Sequence, residues 1–140
     1  MKYGLDFLKV SFVNIPSLTE IIVKIGTWKA IPKPTIIFIA KKHVDLIGEP
    51  KYFESKGTSG SHVRRGFCPN CGSGILSYTK ELPHILFVKA GTLDDSSWVK
   101  IDSNFFTKSA NAWDSADESI KCFDGNPGLM SGLKMLLKSF

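Results

Sequence analysis

"KYFESKGTSGSHVRRGFCPNCGSGILSYTK", Lys51 to Lys80, is the stretch that decides the fold. Its ends, "KYFESK" and "GILSYTK", are rich in β-branched and aromatic residues. "GTSG" (Gly57–Gly60) separates "KYFESK" from "SHVRRGF" and has the composition of a hairpin loop. "GILSYTK" sets Ile75, Ser77 and Thr79 against Leu76 and Tyr78, a period of two. The stretch therefore reads as three strands joined by two turns. The second turn holds two of the chain's three cysteines, Cys68 and Cys71, in C-x₂-C spacing.

Outward from there the strand pattern continues. "TIIFIA" (Thr35–Ala40) is apolar and β-branched, as a buried strand requires. "PHILFVKAG" (Pro83–Gly91) is a second apolar strand, "TLDDSSW" a turn, and "NFFTKSA" (Asn104–Ala110) the last strand of the core. Many short strands at this spacing predict a mainly β domain of antiparallel sheets. Beyond "GNPG", Leu129, Leu133, Leu136, Leu137 and Phe140 fall on one helical face, which predicts a short amphipathic helix over residues 129–140. Residues 1–34 read poorly. "SLTE" is a capping-box pattern, yet the "IIVKIG" that follows disfavours a helix. The chain thus divides into a divergent segment 1–34, a β domain 35–128 and the helix 129–140.

The totals exclude several classes. A chain of 140 residues, 43% hydrophobic and 22% charged, is large enough to bury one core. No apolar run approaches the roughly 20 residues a membrane helix needs, and no signal sequence is evident, so a cytoplasmic location and no membrane partner are expected. Residues 1–66 hold 11 Lys/Arg against 5 Asp/Glu, a surplus of +6, while 67–140 hold 7 against 8. There is no basic run and no interleaving of aromatics with cations, so nucleic-acid binding is the weaker reading of that charge.

The chemistry is concentrated in "CPNCG". Two thiols at i and i+3 on a tight turn can aim at one zinc ion, with Pro69 stiffening the turn and Gly72 tightening it. A redox dithiol is less consistent with a pair set between two strands. The remaining donors are scattered: Cys122, His43, His62 and His84 each stand alone. A homodimer could complete a Cys₄ site from two copies of Cys68 and Cys71. Asp94 and Asp95 are adjacent in a turn and shape it. No P-loop, G-x-G-x-x-G, G-x-S-x-G or H-E-x-x-H occurs.

Gly48 to Trp98, with "GEPKYFESKG", "VRRGFCPNCGS" and "VKAGTLDD", followed by "FFTKSANAWD" and "CFDGNP", resembles the glutathione-dependent formaldehyde-activating enzyme family, which also includes centromere protein V. The resemblance implies a β-tent fold with a zinc knuckle. It also implies carbon–sulfur lyase chemistry, joining formaldehyde to glutathione as S-hydroxymethylglutathione or acting on a related small-molecule thiol adduct. It implies two zinc sites. Cys68 and Cys71 match half of the structural one, whose other half is an N-terminal C-x-C. The catalytic site is a C-x-C-x₂-C between them, where zinc would stabilise a thiolate or polarise an oxygen. Residues 1–67 contain no cysteine, so both N-terminal motifs are absent. Asn104 stands where many members carry His. Either the chain is a degenerate member, or its first ~30 residues arise from an altered reading frame, as the change near Thr35 suggests, or the shell is reused as a binding module. Metal ligands are therefore expected at Cys68 and Cys71 only, with no catalytic residue assigned.

Overall fold

The structure is a computed structural model and describes residues 9–12, 21–25, 35–57 and 59–127. The predicted helix at 129–140 lies outside the described residues. Ten strands run in chain order: β1 Lys9–Phe12, β2 Ile21–Ile25, β3 Thr35–Ala40, β4 Val44–Ile47, β5 Lys51–Lys56, β6 His62–Phe67, β7 Gly74–Thr79, β8 Leu82–Lys89, β9 Ser103–Phe105 and β10 Lys121–Cys122. Three single turns of 3₁₀-helix, at Lys41–His43, Ala90–Thr92 and Thr107–Ser109, connect them. Among the described residues no helix is long and apolar enough to cross a membrane.

Eight strands form one sheet in the order β10-β9-β2-β3-β8-β7-β6-β5, and β1 pairs with β4 as a separate two-stranded ribbon. The strands expected over 35–40, 51–56, 61–67, 74–80 and 83–91 form as β3, β5, β6, β7 and β8, whereas the one expected over 104–110 ends at Phe105, where Phe106 turns left-handed and the chain enters the Thr107–Ser109 turn. The expected antiparallel arrangement holds for β2, β3 and β5 to β8, and needs correction at one end of the sheet. β9 pairs in parallel with both β2 and β10, so one end of the sheet is mixed. Parallel neighbours need a connection longer than a hairpin; residues 106–120 supply one between β9 and β10, and β2 and β9 are far apart in sequence. Residues 21–25 of the poorly reading first segment supply β2, between β3 and β9.

β3 is a continuous apolar run because the sheet is covered on both faces where it lies. Ile36, Ile37 and Ile39 are all buried. They join Ile75, Leu76, Leu86, Val88, Ala90 and Cys68 in the core. Directly opposite residues share a face. The register therefore lines up Tyr52, Gly66, Leu76, Val88 and Ile37 across β5, β6, β7, β8 and β3. Gly66 has a packing reason. A Cβ built there would sit 3.0 Å from Tyr52 Cε1, so the glycine lets the Tyr52 ring lie against the sheet.

Candidate metal centre

The Cys68–Ser73 turn joins β6 to β7. Cys68 N–H donates to Ser73 O at 2.8 Å, and Gly72 N–H donates to Cys68 O at 2.9 Å. These two bonds fold the six residues into a closed loop. Gly72 takes a φ of +75°, a left-handed conformation that glycine adopts without a steric cost. The register between β6 and β7 shifts at Gly66/Phe67, just before the loop. The extra twist of such an irregularity helps turn the chain.

The two thiols have different environments. Cys68 is fully buried in the core, whereas Cys71 is exposed. Cys71 Sγ donates to Ser73 Oγ at 3.3 Å. The Ser73 hydroxyl, then the Ser73 amide and then the Cys68 thiol can stabilise a thiolate there, and together they hold Cys71 below the ordinary thiol range. The loop therefore sets two thiols near each other, with Cys71 held below the ordinary thiol range and Cys68 close enough to hydrogen-bond it.

The remaining sequence candidates are elsewhere. His62, at the opposite end of β6, is six residues from Cys68, roughly 20 Å along a strand. Its Nδ1 lies 3.0 Å from Glu81 Oε1, and its N–H donates to both Glu81 oxygens at 2.9 and 3.2 Å. Those bonds hold the Glu81 carboxyl below the usual range. His43 lies in the turn after β3, and His84 is exposed at the start of β8. Cys122 is on β10, and five strands separate β10 from β6 in the sheet. There it accepts from Asn104 Nδ2 at 3.6 Å, beside an Asn104 to Asp117 O bond of 3.0 Å. No sequence pattern links Asn104 with Cys122, because only the parallel pairing of β9 with β10 brings them together.

Among the described residues no three His, Cys, Asp or Glu side chains converge to hold a metal ion. A zinc ion at the knuckle would find two thiolates where a closed tetrahedral site takes four donors. The whole sequence offers no third thiolate except Cys122. Among the described residues the donor set does not fit a complete structural or catalytic zinc site.

The model of the glutathione-dependent formaldehyde-activating enzyme family matches residues 29–109, more than half of the chain. The chain belongs to the glutathione-dependent formaldehyde-activating enzyme family. A comparison with curated proteins finds no match. The family match takes in β3 to β9, and with them the whole Cys68–Ser73 loop. Cys122 and Asp117 lie beyond it. In this family member Arg64 and Arg65 alternate across β6, as the strand period requires. Arg64 Nη1 donates to the Tyr78 hydroxyl at 3.1 Å, and its Nε lies 3.7 Å from Glu54 Oε2. Arg65 donates to Ser55 Oγ. Asp95 shapes its turn by accepting from Ser97 N–H at 2.9 Å.

Proposed function

We propose that the chain keeps the shell of a zinc-dependent carbon–sulfur lyase. The reaction class is the joining of formaldehyde and glutathione as S-hydroxymethylglutathione, or chemistry on a related glutathione adduct, in the cytoplasm. In this chain turnover is strongly impaired. One observation carries the reading: the family match at 29–109 encloses only two thiols, Cys68 and Cys71, and no third donor reaches them among the described residues. Those two residues are the ones that would hold a structural zinc ion.

The test combines metal content with turnover. The purified protein is expected to hold well under one zinc per chain. It is also expected not to accelerate exchange between formaldehyde, glutathione and their adduct, followed by NMR. One or two zinc ions per chain together with accelerated exchange would overturn the proposal. Half a zinc per chain, with a dimeric mass, would instead support a Cys₄ site shared by two copies. The incomplete donor set also favours a second reading, a non-catalytic knuckle that contacts a protein or nucleic acid. Salt-dependent nucleic-acid affinity supports that reading, and no binding at low salt counts against its nucleic-acid form.

A further inference from the structure

A cleft of about 290 Å³ lies on the sheet face opposite Arg65, between the eight-stranded sheet and β4. Its floor is Leu76 and Leu86, and Val44 and Leu46 of β4 form the facing wall. Tyr52 and Tyr78 close one side. Their rings meet edge to face, with centroids 5.8 Å apart. The volume is near the lower end of the roughly 300–1,000 Å³ range of ligand pockets, and the lining is mostly apolar with a few polar groups, as such pockets are. None of these residues belongs to the knuckle.

The charge at the cleft is positive. Lys41, at the rim, is exposed, and its ammonium makes no ion pair or hydrogen bond with the described residues. Behind the rings, the Arg64 guanidinium stacks 5.2 Å from the Tyr52 centroid and 6.0 Å from that of Tyr78. Glu54 offsets Arg64 in part but is also bound by Lys80 at 2.7 Å. An apolar slot with a cation at its mouth that is unpaired among the described residues is complementary to a flat apolar body that carries one negative charge at its end. A neutral apolar ligand would leave Lys41 unused, and a dianion would find one cation in the lining.

We propose that this cleft binds a small aryl monocarboxylate, with its ring between Leu46 and Leu76 beside the tyrosine pair and its carboxylate at Lys41. Binding in this cleft needs neither zinc nor turnover. The full chain is titrated with 2-naphthoate and with 2-naphthamide, following backbone amide shifts by NMR. The acid is expected to shift the amides of Leu46, Tyr52, Leu76 and Tyr78 saturably and to bind about threefold to fivefold more tightly than the amide, the range a partly exposed ion pair supports. Lys41→Ala, an exposed change that spares the fold, should remove the difference and leave 2-naphthamide affinity unaltered. Leu46→Trp should fill the slot and weaken both ligands. Equal affinity for acid and amide, shifts clustered away from the cleft, or no saturable binding of either by the folded protein would overturn it.

Discussion

Replacing the two knuckle cysteines one at a time, Cys68→Ala and Cys71→Ala, separates a bare turn from a closed metal site. Cys68 has no exposed surface and packs in the core with Ile75 and Ala90. Removing its sulfur loses the transfer free energy of about one buried methylene, ~0.8 kcal/mol, and leaves a small cavity, so the total cost is about 1–2 kcal/mol. Unfolding entropy near 60 °C is about 2.1 cal/mol/K per residue, which over this chain makes about 0.3 kcal/mol/K. The Tm of Cys68→Ala should fall by about 3–7 °C. Cys71 is exposed, and its contacts, to the Ser73 hydroxyl and amide and to the Cys68 thiol, lie at the surface end of the loop. Its replacement should move the Tm by no more than about 2 °C. The assay is thermal unfolding by circular dichroism, with and without a chelator, and the chelator should change neither curve. A closed zinc site would behave otherwise. Metal binding is folding free energy there, and both thiols hold the same ion. Parallel falls beyond about 10 °C in the two variants, reproduced by chelation of the unaltered protein, would refute the conclusion that the donor set is incomplete.

Further expectations follow from packing and charge. Gly66→Ala places a methyl 3.0 Å from Tyr52 Cε1. It should lower the Tm by about 3 °C, near the mild end of overpacking because Tyr52 is partly exposed, and Tyr52→Ala in the same chain should restore part of the loss. Glu81 is held below its ordinary value of 4.5 chiefly by the His62 amide and then by the His62 ring. A lowered carboxylate stabilises the fold above its unfolded pKa, and that stability is lost as pH falls through the folded value. Tm should therefore drop as pH descends below about 4.5, and Glu81→Gln should flatten that acid limb. Lys89 is lowered from 10.5, first by burial and then by Arg65. The buried charge costs stability at neutral pH, so Lys89→Met should raise the Tm there by about 1–3 °C. The gain should shrink as pH rises through the lowered Lys89 value towards 10.5, since the lysine is then neutral in both states. Reading the encoding DNA in its other two frames upstream of residue 35 tests the altered-frame explanation. Absence of C-x-C and C-x-C-x₂-C there would end it.

The strands most visible in the sequence are those whose pattern is local. "TIIFIA", "GILSYT" and the "GTSG" hairpin carry their own periodicity and turn residues, and β3, β5, β6 and β7 form where these signals lie. β4 was not visible, because "VDLI" is too short to show a period and its partner β1 is more than 30 residues away in sequence. The parallel end of the sheet was hidden for a similar reason. β9 and β10 are three and two residues long and find their neighbours only across long connections. The Tyr52–Arg64–Tyr78 stack could have been found only from the register of two consecutive hairpins, since no window of sequence contains all three side chains on one period.

The sequence alone determined the family, through motifs spaced in order along the chain, and it determined how few thiolates are available, because a cysteine that is not encoded cannot be folded into place. Tertiary structure decided what the encoded donors can do. It buried Cys68 while leaving Cys71 exposed, committed His62 to Glu81, and put Cys122 beside Asn104 at the far end of the sheet. A metal site is a convergence of side chains in space. Spacing can promise the local half of it, but strand order determines whether the distant half arrives.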